Sequence, residues 1–154
     1  MKQLALPAYS FSLKSDRGTE LIFDDIRKKW IVLTPEEWVR QHFIRYLIDH
    51  KAYPASLIGV EVTFKVNSLT RRADILVYNR LGNPVLIVEC KAPSVKIDNK
   101  VFDQVVAYNF RFRLPYIVVT NGLKHFACSI SSDTSPDYTF LKSIPAYNEL
   151  QPIQ

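Results

Sequence analysis

Between Leu57 and Lys91 the chain reads LIGVEVTFKVNSLTRRADILVYNRLGNPVLIVECK, and this stretch restricts the fold more than any other. Ile58, Val60, Val62, Phe64 and Val66 alternate with Gly59, Glu61, Thr63, Lys65 and Asn67. That period of two gives an extended strand one apolar face. Asn67 to Thr70 reads as a turn and RRADILVY as a second strand. NRLGNP is a second turn, since Gly82, Asn83 and Pro84 each favour one. VLIVECK is a third strand, apolar almost to its end. Strands of that composition usually lie inside a sheet covered on both faces.

The flanks supply the covers. Residues 1–18 read as an irregular arm. Leu21 to Phe23 and Lys29 to Leu33 form a β-hairpin around Asp24, Asp25 and Arg27. Thr34 then fits a helix N-cap, Pro35 the first helical position, and Glu37 the third residue of a capping box. Val39, Phe43, Tyr46, Leu47 and His50 recur at helical spacing, and Tyr53 with Pro54 ends the helix. After a polar loop, KAPSVKIDNK, a second helix is expected from about Asp98 to Phe112. Val101, Val105, Tyr108 and Phe112 can share a face, with Phe102, Val106 and Asn109 beside it. Leu114 to Thr120 is a fourth strand, Asn121-Gly122 a turn, and LKHFACSI a fifth strand. Tyr138 to Leu141 can pair at a sheet edge, and the rest of the tail is irregular. The expected fold class is α/β (α+β): a mixed central β-sheet flanked by helices.

With 154 residues and 47% apolar content, the chain suits one globular domain. Its net charge of +5 favours a polyanionic partner without specifying one. Two widely separated cysteines, Cys90 and Cys128, and three histidines make no zinc framework. They read as reduced core thiols of a cytoplasmic protein. The first residues do not form a secretion signal, and no run approaches the ~20 apolar residues of a membrane span. No phosphate-binding Gly-rich loop and no helicase motor is present, so ATP use is not expected of this polypeptide.

Chemistry concentrates at the end of the third strand. Residues two apart on a strand share a face, so Glu89 and Lys91 stand side by side. The turn NRLGNP returns this strand beside Asp74, and the expected outcome is that the sheet brings Asp74, Glu89 and Lys91 to one cleft. Phosphodiester hydrolysis needs a nucleophilic water and neutralised phosphoryl oxygens. Mg²⁺ prefers oxygen ligands, which Asp74, Glu89 and the backbone carbonyl of Cys90 can supply. Lys91 can orient or deprotonate the water, or offset the developing charge. The same spacing also serves a structural salt bridge. Arg40 can pair with Glu36 or Glu37. Arg71, Arg72, Lys96, Lys100, Arg111 and Arg113 can meet phosphates. Trp30 and Trp38 read as packing aromatics.

Taken in order, FDDIRKKWIVLTPEEWVRQHFIRYLI, RRADILVY, LIVECKAP, QVVAYN and VVTNG carry a resemblance. The chain resembles the PD-(D/E)XK nuclease superfamily, and more closely the N-terminal nuclease domain of type I restriction enzyme R subunits. The resemblance covers most of the chain and implies one restriction-endonuclease-like nuclease domain over residues 1–154. It implies that Asp74 and Glu89 are metal ligands, that Lys91 is the catalytic lysine, and that Glu37 completes the site, with Glu36 the neighbouring option. Gln104 and Tyr108 match the family's Gln-x-x-x-Tyr element. Where the superfamily name has Pro-Asp, Asp74 follows Ala73, which removes no ligand. The implied function is Mg²⁺-dependent DNA endonuclease activity, with Mn²⁺ a possible substitute, alongside restriction-modification motor and specificity partners. Two-strand cleavage calls for two sites, so a homodimer is one arrangement. The alternatives are a silent DNA- or partner-binding module of the same fold, and a nuclease acting on RNA or branched DNA. The intact trio favours catalysis.

Overall fold

The computed structural model describes residues 1–130 and 137–150. Strands β1 (Leu13–Asp16), β2 (Thr19–Asp24) and β3 (Lys29–Val32) make a small antiparallel sheet. Helix α1 (Pro35–Lys51) follows. The main sheet comprises β4 (Ile58–Val66), β5 (Leu69–Tyr78), β6 (Pro84–Cys90), β7 (Tyr116–Thr120), β8 (His125–Ile130) and β9 (Tyr138–Phe140). These six lie side by side in chain order. Helix α2 (Asn99–Phe110) links β6 to β7. That pair is parallel, while its neighbours in the sheet are antiparallel. The expected mixed sheet flanked by helices is therefore the observed fold.

Each helix covers one face. From α1, Val39, Phe43, Ile44 and Leu47 pack on Ile75, Val77, Leu86, Val88 and Val118. From α2, Phe102 and Val106 pack on Leu76, Ile87, Ile117 and Val119. Thr34 caps α1, its hydroxyl accepting from the Glu37 amide at 3.0 Å. Asp98 caps α2 in the same way, accepting from Val101.

Four expectations change. Residues 13–16 are not an irregular arm but β1, paired to β2 through a turn at Arg17 and Gly18, both with positive φ. The strand is exposed throughout, so no apolar alternation marks it. The earlier residues are also fixed: Leu4 is buried, and the Ala5 amide donates to the Gly122 carbonyl at 2.8 Å. On α1, Tyr46 and His50 lie at the margin of the buried face rather than in it; Tyr9 O–H meets His50 Nδ1 at 2.6 Å. On α2 the buried stripe is Phe102, Val106 and Asn109, whereas Val101, Val105 and Tyr108 border a groove. Of the expected irregular tail, residues 131–136 and 151–154 lie outside the described residues. The part before residue 151 is held in place. Tyr53 O–H donates to the Pro145 carbonyl at 2.9 Å and Tyr147 O–H to that of Tyr78 at 3.0 Å, ahead of a 3₁₀ turn at Tyr147–Glu149. Both cysteines are buried free thiols.

Candidate active site

The main sheet opens at Asp74. Pairing of β4 with β5 runs through Val60↔Ile75 and Val62↔Ala73 but skips Glu61 and Asp74 between them. Glu61 sits there with φ 53°, a left-handed conformation that a side chain rarely adopts without reason. On the other side, β5–β6 pairing starts only at Ile75↔Val88. Beyond it, the Cys90 amide donates to Asp74 Oδ2 at 2.8 Å, a side chain standing where a ladder carbonyl would be. N–H and C=O of one strand residue point to the same side, so the Cys90 carbonyl also faces β5. Lys91 is pinned from the opposite strand, its amide donating to the Thr120 carbonyl at 2.8 Å.

On the α1 side of this opening, charge is organised around Arg40, which is only 6% exposed. Its Nη2 reaches Asp74 Oδ1 and Glu61 Oε1, each at 2.9 Å, and Glu36 Oε1 at 3.4 Å; its Nη1 pairs with Glu37 Oε1. Burial works against the guanidinium's charge, but Glu37 and Asp74 outweigh it and raise its pKa. Glu37 is further bound by Arg27 Nη2 at 2.9 Å and Gln41 Nε2 at 3.0 Å. Beneath it, fully buried Asp24 accepts from the Ile26 and Arg27 amides at 2.7 and 2.9 Å, from Gln41, and from Arg27 Nε. Desolvation pushes the Asp24 carboxyl up, yet these hydrogen bonds pull it below its ordinary value. Arg27 is thus a turn residue that is also a member of this network. Glu36 is about half exposed. Burial raises its pKa, Asp74 adds to the rise, and Arg40 and Lys91 oppose it, so it stands within electrostatic range of both Asp74 and Lys91.

On the α2 side, Glu89 and Lys91 line a groove of about 240 Å³ with Arg71, Gln104, Val105, Tyr108 and Asn109. Arg71 forms an ion pair with Glu89, donates to Asn109 Oδ1 at 3.3 Å, and lies over the Tyr108 ring at 4.9 Å. The structure therefore brings Glu89, Lys91, Gln104 and Tyr108 together. Asp74 lies at the same sheet end but turns to Arg40 and the Cys90 amide. Glu37 lies behind Arg40, and Glu36 is the first-turn acid closer to the opening.

A hard divalent cation suits the donor chemistry of this end: carboxylates of Asp74, Glu89, Glu36 and Glu61 and the Cys90 carbonyl are all oxygen. As arranged, guanidinium groups hold those carboxylates, and among the described residues no three His, Cys, Asp or Glu side chains form a group that could hold a metal ion.

Comparison with known proteins bears on this geometry. Residues 35–145 match the family described as Type I restriction enzyme R protein N terminus (HSDR_N). The match begins at the first residue of α1 and runs past β9, well over half of the chain. The chain belongs to this family. A similar solved structure is a fragment described as an HsdR subunit of a type I restriction enzyme from Vibrio vulnificus YJ016, with 21% identity and a TM-score of 0.54. The likeness covers 77% of this chain and 24% of that one, so the chain spans about a quarter of that relative's length. No curated protein matches the chain. The family match takes in α1, α2 and the six strands of the main sheet, the elements that carry the site. Among the described residues no helix is long and apolar enough to cross a membrane.

Sequence reasoning missed Glu61, Arg71 as the partner of Glu89, and the Asp24–Arg27–Gln41 support. Only Glu61 carried a usable signal. A two-residue turn at Asn67 and Ser68 fixes the hairpin register, and counting back sets Glu61 opposite Asp74.

Proposed function

We propose that the chain is one Mg²⁺-dependent nuclease domain that hydrolyses phosphodiester bonds in DNA, with Mn²⁺ able to substitute, and that it works with restriction-modification motor and specificity partners. The observation that carries this is the groove in which Glu89, near the end of β6, and Lys91, just beyond that strand, meet Gln104 and Tyr108 of α2, with Asp74 across the opened ladder. Asp74, Glu89 and the Cys90 carbonyl would hold the ion, with a carboxylate from the first turn of α1; Glu36 is the better-exposed choice over Glu37. Such an ion supplies Lewis acidity at the phosphoryl oxygen and an activated water.

The chain's own residues do the rest. Lys91 carries a positive charge to the scissile phosphate and offsets charge that grows in the transition state. Its backbone, tied to Thr120, limits where that charge can go. Arg40 balances the clustered carboxylates from behind. Gln104 and Tyr108, four apart on α2, border the groove from one helical side.

The test is cleavage of duplex, single-stranded and branched DNA and of RNA, with and without Mg²⁺, motor and specificity partners being added in parallel. Wild-type protein should cut DNA only with the ion. Lys91→Ala should lose turnover while keeping most DNA affinity, because that affinity is spread over many phosphates. Excess metal should not rescue it. If Lys91→Ala cleaves at the wild-type rate, a silent binding module becomes the better account.

A further inference from the structure

Among the candidate ligand carboxylates, Asp74 is held by Arg40 and Glu89 by Arg71, and the two arginines differ in what would happen on their release. Arg40 is buried and shared among Glu36, Glu37, Glu61 and Asp74. Glu37 also has Arg27 and Glu61 also has Arg72, but moving Arg40 would take from Asp74 and Glu36 the arginine they pair with, so it is a fixed part of the wall. Among the described residues Arg71 is ion-paired to Glu89, and the charge of Asp74 also acts on it. Its other contacts are neutral: the Asn109 amide oxygen, the Arg72 carbonyl and the Tyr108 ring face. It also borders the open groove beside Lys91 and Gln104.

We propose that Arg71 couples DNA binding to metal binding, its guanidinium capping Glu89 in the free domain and passing to a DNA phosphate in the complex, which frees Glu89 for a divalent cation. The inference rests on the nuclease reading above. Glu89 is 9% exposed, and a carboxylate that buried needs a cation beside it. Arg71 leaves only when another positive charge takes its place, and a divalent ion supplies one. A guanidinium matches phosphate with a bidentate fork, and a phosphate entering this groove would meet Arg71 and Lys91 together. The exchange satisfies all four charged groups: phosphate with Arg71, carboxylate with metal. Either ligand alone must break the Arg71–Glu89 pair; the second finds it already broken. Linkage then requires that DNA tighten metal binding by the same factor that metal tightens DNA binding.

The experiment is calorimetric titration of Ca²⁺, used as a non-cleaving probe, into the full chain with and without a short DNA duplex. Wild-type protein should bind Ca²⁺ about tenfold or more tightly when DNA is present, within the usual span of site–site coupling. Arg71→Gln should bind Ca²⁺ more tightly than wild type without DNA, and the gain from DNA should fall below about twofold. Arg71→Lys, which keeps the charge but not the fork, should show reduced coupling, and it decides the matter if Arg71→Gln does not fold by circular dichroism. Equal Ca²⁺ affinity with and without DNA in wild type overturns the coupling and leaves the nuclease reading standing. Full coupling retained in the folded variant overturns the role of Arg71. No Ca²⁺ binding to wild type or variant under either condition overturns the metal site itself, and the inference with it.

Discussion

Asp74 has a structural duty as well as a proposed chemical one. Its carboxylate receives the Cys90 amide and Arg40, so truncating it orphans an amide at the sheet opening and weakens the charge balance of a buried guanidinium. Leaving such groups unsatisfied costs about 1–3 kcal/mol. Asp74→Ala should therefore lose cleavage and stability together, whereas Asp74→Asn keeps an acceptor for Cys90 and should lose cleavage with a smaller stability penalty. Urea unfolding of both variants checks this; equal stability of Asp74→Ala and wild type would mean that the side chain does not close the ladder. Glu89 and Lys91 were legible as neighbours because residues two apart on a strand share a face, and they line one groove; Asp74 stands at the same sheet opening but turns to Arg40 and the Cys90 amide instead of into that groove. The ion pairs holding those acids were not legible. Arg71 finds Glu89 across an unpaired stretch of two strands, and a short-range pattern does not report which of several arginines fills that place. The choice between Glu36 and Glu37 is likewise a matter of helix rotation. The capping-box spacing marks Glu37, and Gln41 lies one helical turn on, but only the packed position of α1 turns Glu37 towards Arg27.

Among elements, those with a strong local signal were read correctly. Thr34 and Pro35 start α1, the period of two gives β4, and Asn121-Gly122 turns β7 into β8. Where neighbours decide, the reading fell short: β1 was missed, and α2 was found with the wrong face turned inward. β1 has no buried residue, and α2 carries two apolar stripes of which only one is covered. The turn after β7 ties several elements together and gives a sharp test. Gly122 has φ 83°, and a Cβ there would lie 2.7 Å from the Leu4 side chain and 3.0 Å from that of Val39. A left-handed position alone costs a side chain about 1–2 kcal/mol, and the crowding adds to it. Gly122→Ala should lower the melting temperature and loosen residues 1–8, read as faster hydrogen exchange at Ala5. An unchanged Ala5 exchange rate would show that the arm is not held through this turn.

For the molecule as a whole, acid should weaken the fold in two windows. Burial lowers the pKa of His42 and of His125, overcoming the opposing hydrogen bonds to the Trp38 and Ala5 carbonyls. The unfolded chain, with histidines near 6.5, takes up those protons first, so stability falls as pH drops below about 6.5. Asp24 gives the second window. Its folded pKa is depressed, so its contribution is present above the unfolded value near 3.9 and is lost as pH falls through the folded one. Denaturant unfolding from pH 7.5 to 3 should show both declines, and Asp24→Asn should remove the lower one. A flat profile between pH 7 and 5 would mean that the two histidines protonate as readily in the folded chain as in the unfolded one.

The parallel junction of β6 with β7 also sets an order in time. β4 with β5, β5 with β6, and β7 with β8 are joined by short turns and can zip locally. β6 meets β7 only after the whole of α2 has passed across the sheet, and closing a longer loop takes more conformational entropy. Asp74 and Cys90 belong to the early hairpin. The anchoring of Lys91 to Thr120 belongs to the late crossover. A nascent chain thus brings Asp74 to the Cys90 amide before the backbone of Lys91 is fixed on Thr120.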